Sequence, residues 1–336
     1  MIKNMRRFWQ YLGLSLATLS LCVACNTQTQ TDVSNDNPTL VVGNSPWPGF
    51  VAQFVAEEKG YYAEEGINID EKFIQVSTDV NTALAGDRVD IAWTAIPDMV
   101  VMAGDDPDLR LIAVSDYSDG ADGIIAKGVA APADLVGKTI AWEELPLQAL
   151  LLEAYLEDSD ISIDDLDLRV MPAAEAATAF AADQVEVAIT FEPWLTTAVN
   201  EGDGEIIFSS VDTNLIAGGL VGKAETIEAR REDLQAYFRA LEKGFAFYES
   251  NPEEAIAIVA NKLNLGAEEL PAILDTVRLF KPSEHQSVVF NEADDLNIID
   301  SINFAAKVGK EMGVVAEGVD PSTLYDASFT EAIAAQ

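Results

Sequence analysis

The chain has 336 residues, of which 49% are apolar, so it is long enough to form two domains with sizeable cores. Its formal net charge is −37, which repels nucleic acid and anionic membrane surfaces and raises the local concentration of cations. We therefore expect a folded globular protein that does not bind nucleic acid.

The first 25 residues have the pattern of a secretory signal. Lys3, Arg6 and Arg7 form a basic start, and residues 11–23 form an apolar run too short for a convincing membrane span. The run ends in Cys-Val-Ala-Cys-Asn, which resembles a bacterial lipobox with Cys25 as the lipidated residue. Both cysteines lie here, so the mature chain has no internal disulfide. We expect a periplasmic or extracytoplasmic protein, anchored by lipid and tethered by polar residues 26–38; ordinary cleavage and release is the alternative.

Strand-like and helix-like segments alternate from residue 39 onward. The predicted order is a strand at 39–43, a helix at 50–59, a strand at 71–76, a helix at 80–85 capped by 77–79, a strand at 90–93 and a helix that begins at Pro97. This alternation predicts an α/β layer with a largely parallel sheet.

An acidic segment, residues 116–123, joins the apolar runs 111–114 and 124–126. Gly120 and Gly123 permit backbone conformations that other residues avoid, which suits a hinge or a close approach to a ligand. We interpret the segment as a crossing between two globular bodies; a solvated surface turn is the alternative.

The second body is predicted to contain strands at 137–142, 168–170 and 185–190 and helices at 143–156 and 173–182. Strands at 205–209 and 216–221 would return the chain to the first body. The remainder is predicted to be helical, at 226–250, 252–263, 266–280 and 291–312.

Two motifs carry a resemblance to a known family. Residues 58–67 (EKGYYAEEGI) followed by 83–92 (ALAGDRVDIA) resemble the nitrate/sulfonate/taurine-type (NitT/TauT) substrate-binding proteins of ABC transporters, and residues 135–141 and 180–188 match the same family. The resemblance implies an α/β type II periplasmic-binding-protein fold, with two lobes joined by two crossover segments. Lobe 1 would comprise 39–122 and 217–336, and lobe 2 would comprise 123–216. It also implies a monomer that holds a small-molecule ligand between its lobes and delivers it to an ABC permease.

In open α/β sheets, ligands bind beyond the carboxyl ends of the strands. Tryptophans, acids and hydroxyls occupy those positions here, and no Lys or Arg does. The candidate ligand-binding residues are Trp47, Ser77, Asp79 and Trp93 in lobe 1; Asp116, Tyr117, Asp119 and Asp122 in the crossing; and Trp142, Glu143, Glu144, Glu192 and Trp194 in lobe 2.

This set of residues favours a cationic ligand. An anion site would use bare helix N-termini with added Lys or Arg, whereas Asp79, Glu143 and Glu144 stand at predicted helix starts and would repel an anion. Indole faces attract cations by about 0.5–2 kcal/mol, and carboxylates accept charge-assisted hydrogen bonds. The alternative is that the tryptophans are core residues and the acids are helix caps.

Residues 116–123 further resemble the branch of the family linked to urea carboxylase and guanidine metabolism. That branch's pattern is similar to Asp-Tyr-Ser-Asn-Gly-Asn-Asp-Gly, and this chain departs from it at Asp119 and Ala121. The resemblance implies a guanidinium-like ligand, which is planar and can lie against an indole while donating to carboxylates. An aliphatic sulfonate, taurine or another small anion is the alternative.

An enzyme and a sensor or adhesin are the other classes considered. A pyrimidine-synthase family shares the fold, but the mature chain has no cysteine and only His285, which we expect in a polar surface loop. Histidines and cysteines do not show metal-ligand spacing, so we expect neither a metal nor a cofactor. The sequence does not separate transport from sensing.

Overall fold

The computed structural model describes residues 38–334 apart from 213–215, 312 and 316–318. The predicted signal, Cys25 and most of the tether lie outside the described residues. Across the part that is described, no helix is both long and apolar enough to span a membrane.

Strands and helices alternate through the first two thirds of the described chain. The strands are β1 Thr39–Asn44, β2 Asn68–Phe73, β3 Ile91–Ala95, β4 Leu109–Ser118, β5 Asp122–Ala126, β6 Thr139–Trp142, β7 Asp167–Val170, β8 Val187–Phe191, β9 Glu205–Ser209, β10 Ala217–Lys223 and β11 Val277–Leu279. The helices are α1 Val51–Lys59, α2 Tyr61–Glu64, α3 Ser77–Ala85, α4 Ile96–Met102, α5 Pro146–Leu156, α6 Ala173–Ala181, α7 Trp194–Glu201, α8 Ala224–Ala229, α9 Arg231–Ser250, α10 Pro252–Leu263, α11 Leu270–Leu274, α12 Ile298–Glu311 and α13 Ser328–Ala334.

The strands form two sheets, and we call the bodies built on them the first and second lobes. The first sheet has the order β11-β4-β10-β3-β1-β2, and the second has the order β7-β6-β8-β5-β9. The two-lobed α/β fold is therefore confirmed. The prediction of a largely parallel sheet is wrong: β10 runs antiparallel to β3 and β4, and β5 runs antiparallel to β8 and β9. β5 follows β4 of the other lobe after only residues 119–121, and β10 follows β9 of the other lobe with only a 3-10 turn at 210–212 described between them, so neither strand needs to run parallel to its neighbours.

Each sheet carries apolar clusters on both faces. Successive side chains of a strand point to opposite faces of the sheet, so neighbouring residues of one strand pack into different clusters. Leu111 and Ile112 are adjacent in β4 and belong to different apolar clusters of the first lobe. Ile124 and Ile125 in β5 do the same in the second lobe. The apolar runs of the sequence thus become central strands covered by helices.

Several predicted segments are wrong in their bounds or type, among them the helix predicted at 291–312, which begins only at Ile298. β2 lies at Asn68–Phe73, because it pairs in register with all of β1, and not at 71–76. Residues 77–79 form the first turn of α3 and do not precede it as caps. The helix predicted at 266–280 is instead the short α11 followed by β11, which pairs with β4 at the edge of the first sheet.

The first crossing between the sheets is short. Only residues 119–121 lie outside β4 and β5, so Asp116 and Tyr117 belong to a strand. Gly120 has φ of +107°, which uses its conformational freedom, whereas Gly123 lies within β5. Ser210, where the chain leaves β9, is 2.7 Å from Ser118 Oγ and accepts a 2.8 Å hydrogen bond from Gly120 N.

Candidate functional site

A cavity of about 60 Å³ lies between the two sheets. At about 10–15 Å³ for each water position, it could hold about four to six waters or a ligand of similar size. Five predicted residues, Trp47, Ser77, Trp93, Asp116 and Asp122, line it. The other lining residues are Ser45, Phe50, Val80, Asn81, Thr94, Ala95, Asp98, Leu147, Phe191, Ile216, Ala217 and Gly218.

Trp47 and Asp116 are joined by a hydrogen bond at one wall. Trp47 Nε1 donates to Asp116 Oδ2 at 3.0 Å, and Ser115 Oγ donates to the same oxygen at 2.5 Å. Asp116 Oδ1 is buried and has no partner among the described residues. Gly49 packs against this pair so closely that a Cβ there would overlap with Asp116 Oδ2 and Trp47 Nε1. The glycine therefore lets the loop after β1 approach the carboxylate.

Asp122 begins β5, close to Asp116. Its backbone N–H donates to Ser118 Oγ at 3.2 Å, and its buried Oδ2 has no partner in the described part of the chain. Burial raises the pKa of Asp122 to about 7, and the charge of Asp116 adds to this effect. Burial also raises the pKa of Asp116 to about 6, against the hydrogen bonds from Ser115 and Trp47. Near pH 7 the cavity therefore presents carboxylates that are poorly compensated by protein groups.

Asp98 lines the cavity, although it was not among the residues predicted from the sequence. It lies in the first turn of α4 and is 2% exposed. Its Oδ1 accepts from Leu147 N at 3.0 Å, and its Oδ2 accepts from Asn81 Nδ2 at 3.1 Å. Burial raises the pKa of Asp98 to about 7. The only signal in the sequence is an acid directly after Pro97 in an otherwise apolar helix.

Aromatic rings form the remaining walls. Trp93 and Phe50 have ring centroids 5.5 Å apart, and Trp47 meets Phe191 of the second lobe edge-on at 6.1 Å. Trp93 Nε1 donates to Tyr237 Oη at 3.0 Å, and Tyr237 Oη donates to Gln53 Oε1 at 3.1 Å. These bonds set the orientation of the Trp93 indole at the cavity.

Three predicted aromatic residues lie outside the cavity. Tyr117 points into the first-lobe core, where its hydroxyl donates to Asn297 O at 3.2 Å. It points away from the cavity because it follows Asp116 in a strand. Trp142 is buried in the second-lobe core, and Trp194 is half-buried there with its ring edge-on to Phe191 at 5.0 Å. For Tyr117 and Trp142 the core interpretation is the better one.

The five remaining acidic candidates also lie outside the cavity lining. Asp79, Asp119 and Glu144 are exposed. Glu192 is buried and accepts from Thr196 N and Oγ1 at 3.1 and 2.7 Å, in the first turn of α7. Glu143 is buried and accepts from Thr78 N at 2.9 Å and from Ala173 N at 3.0 Å. Glu143 therefore binds the starts of α3 and α6 and not that of α5, which follows it in sequence.

The prediction of a surface position for His285 is wrong. The side chain is 1% exposed, its Nε2 accepts from Val114 N at 2.8 Å, and its Nδ1 lies 2.8 Å from Lys281 O. Burial lowers the pKa of His285 to about 4, so the ring is neutral at physiological pH. Both ring nitrogens serve the fold and neither is free for proton transfer.

The charged residues that line the cavity are all acidic. Asp98, Asp116 and Asp122 line it, and no Lys or Arg lines it within the part of the chain that the structure describes. The described residues also contain no group of three or more His, Cys, Asp or Glu that could hold a metal ion. The arrangement is suited to a small ligand that donates N–H bonds and carries positive charge.

Comparisons with known proteins agree with this fold. The formylaminopyrimidine-binding protein of Halalkalibacterium halodurans is 26% identical over 261 residues, which are 75% of this chain and 78% of the relative. The aliphatic sulphonate binding protein SsuA of Escherichia coli has a similar structure, with a TM-score of 0.69 and 17% identity, over 85% of this chain and 96% of SsuA.

The same fold also occurs in an enzyme. The desulfurization enzyme DszB matches with a TM-score of 0.63 and 15% identity, over 88% of this chain and 98% of DszB. At such identities the likeness establishes the fold and not the activity. The family description NMT1/THI5 like matches residues 47–255, well over half of the sequence. The chain belongs to the NMT1/THI5 like family.

Proposed function

We propose that the chain is the extracytoplasmic solute-binding component of an ABC importer and that it binds a small organic cation, such as guanidinium, between its lobes. One observation carries this proposal. Among the described residues, Asp116 and Asp122 each have a buried carboxylate oxygen without a hydrogen-bond partner, and the aromatic cavity that they line has no basic residue in its described lining. The lobes would comprise 39–122 with 217–336, and 123–216.

A cation would supply the positive charge and the hydrogen-bond donors that the carboxylates of Asp116 and Asp122 lack. A buried carboxylate oxygen without a partner costs about 1–3 kcal/mol or more, because it has lost its hydration. Guanidinium has N–H donors in its plane for Asp116 and Asp122, and its face can lie against Trp47 or Trp93. Urea has the same shape without the charge, and an anion would add a further negative charge to the site.

The lack of a free cysteine or histidine, together with the names of the relatives, supports binding rather than catalysis. Cysteines are confined to the first 25 residues, and both ring nitrogens of His285 are engaged with the backbone. The carboxylates of Asp98, Asp116 and Asp122 could exchange a proton, so the proposal of binding also rests on the relatives that are named as binding proteins. We propose delivery to a permease, with Cys25 as a lipid anchor, as the biological setting.

The relative that binds formylaminopyrimidine favours a second candidate, an aminopyrimidine. Such a ring is planar, can stack on an indole and carries N–H donors for carboxylates. A neutral aminopyrimidine brings no positive charge, so it would compensate Asp116 and Asp122 less fully than guanidinium. A sulfonate is bound by SsuA according to its name, but the acidic lining here gives it no partner.

The test is isothermal titration of the protein with guanidinium, urea, an aminopyrimidine, taurine and nitrate, at matched chloride. We expect saturable one-to-one binding of guanidinium that is weakened at least about tenfold in Asp122→Asn and unchanged in Asp119→Asn, whose side chain is exposed. Binding of the aminopyrimidine alone would select the second candidate. Binding of taurine or nitrate would refute the cation proposal, and no binding in any titration would refute all of these ligands.

A further inference from the structure

Two buried carboxylates connect the lobes in opposite directions. Glu143 of the second lobe accepts a 2.9 Å hydrogen bond from Thr78 N, in the first turn of α3 in the first lobe. Asp98 of the first lobe accepts a 3.0 Å hydrogen bond from Leu147 N, in the first turn of α5 in the second lobe. Each lobe thus supplies an acid that caps a helix of the other lobe.

Each acid is also anchored within its own lobe by its second oxygen. Glu143 Oε2 accepts from Ala173 N at 3.0 Å, at the start of α6. Asp98 Oδ2 accepts from Asn81 Nδ2 at 3.1 Å, in α3. One oxygen of each side chain therefore fixes its direction, and the other oxygen makes the bond between the lobes.

The bond between Asp98 and Leu147 lies beside an apolar contact between the same two helices, α4 and α5. Pro97 and Val101 of α4 face Pro146 and Leu150 of α5 around a small gap that Ala305 of α12 also lines. Glu143 and Asp98 are 4% and 2% exposed, so water is largely excluded from both bonds. Separation of the lobes would leave the N–H groups of Thr78 and Leu147 without these acceptors.

We propose that Glu143 and Asp98 are positioning residues that together latch the two lobes closed over the cavity. This inference rests on the proposed function of the cleft in solute binding. Asp98 also lines the cavity, so a cation bound there favours its ionised form, which is the form that accepts from both lobes most strongly. A bound cation therefore strengthens the latch, and the latch in turn slows release of the cation.

The test compares Glu143→Gln, Asp98→Asn and the double variant with wild type. Small-angle X-ray scattering gives the radius of gyration without ligand, and stopped-flow tryptophan fluorescence gives guanidinium association and dissociation rates. Glu175→Gln is the matched control, because Glu175 is an exposed acid in the first turn of α6, the helix that Glu143 caps. Circular dichroism verifies that each variant folds.

We expect a larger ligand-free radius of gyration in both single variants and a further increase in the double variant. In each single variant, the dissociation rate of guanidinium should rise by about tenfold, as expected for the loss of one helix cap. The association rate should change by less than about threefold. Glu175→Gln should match wild type in both measurements.

Two outcomes overturn the inference. The first is a ligand-free radius of gyration equal to that of wild type in both variants, whatever guanidinium does. The second is loss of folding in both variants, because the bonds would then be required by the lobes themselves. If guanidinium fails to bind wild type while the variants expand, the cation proposal fails and the latch stands.

Discussion

Replacement of Asp122 by asparagine should change ligand affinity and stability in opposite directions. Asparagine keeps the size of the side chain but removes the charge from the buried Oδ2 position, which has no partner among the described residues. A hydrogen bond to a charged group is worth about 1.5–3 kcal/mol. We therefore expect guanidinium affinity to fall by about tenfold to a hundredfold.

The stability gain follows from the raised pKa of Asp122. Burial raises this pKa from 3.8 to about 7, and each tenfold change in an acid dissociation constant corresponds to about 1.4 kcal/mol. The ionised side chain thus destabilises the folded protein by about 4 kcal/mol at pH 8. The folded state binds the proton more tightly than the unfolded state, so this destabilisation is complete above about pH 7 and disappears as the pH falls toward 3.8.

Urea denaturation followed by circular dichroism at pH 8 and pH 5 measures this effect. The asparagine amide needs a new acceptor, which offsets part of the gain, so we expect the free energy of unfolding to rise by about 1–3 kcal/mol at pH 8. The gain should shrink at pH 5, and Asp119→Asn should show little change at either pH. An Asp122→Asn variant that is no more stable than wild type at pH 8 would refute the assignment of a buried, uncompensated charge.

Three further predictions concern the same cavity. Guanidinium affinity in calorimetry should fall at least about tenfold between pH 8 and pH 5.5. The pKa values of Asp122 and Asp116 are about 7 and about 6, so protonation removes their charge over this range. A pH-independent affinity would contradict this prediction. Gly49→Ala should weaken guanidinium binding by about tenfold, since overpacking typically costs about 1–3 kcal/mol, and circular dichroism should show a folded protein; unchanged affinity would show that the loop can move aside. Tyr237→Phe should lower the free energy of unfolding in urea by about 1–3 kcal/mol by leaving the Trp93 N–H buried without an acceptor, and an unchanged value would mean that this bond contributes nothing.

Much of the fold could be predicted because local patterns decide it. Pro252 and the apolar spacing after it place α10 correctly, and the alternating strands and helices indicate an α/β protein. Trp47 and Trp93 were predictable at the cavity because each lies at or near the carboxyl end of a strand of one sheet. Local pattern could not reveal that β5 and β10 run antiparallel, since that depends on which lobe the chain comes from.

The site was harder to predict because it is assembled across the lobes. Asp116 and Tyr117 are adjacent in sequence, yet only one can face the cavity once the segment is a strand. Glu143 looks like a cap for the helix that follows it, but its partners start helices 65 residues before it and 30 residues after it. Asp98 has no local pattern that separates it from an ordinary acid in a first helical turn.

Ser210 has a consequence for how the two lobes can move. Its hydroxyl lies against Ser118, at the end of β4, and accepts bonds from Gly120 N and from Asp122 N, the latter at 3.3 Å. The outgoing and returning segments are thus joined at a buried point, next to the backbone bond from Ser118 N to Ile216 O, and these bonds oppose lengthwise sliding of one segment past the other. We therefore expect the lobes to open by rotation about these bonds, so that each closure returns the same groups to register.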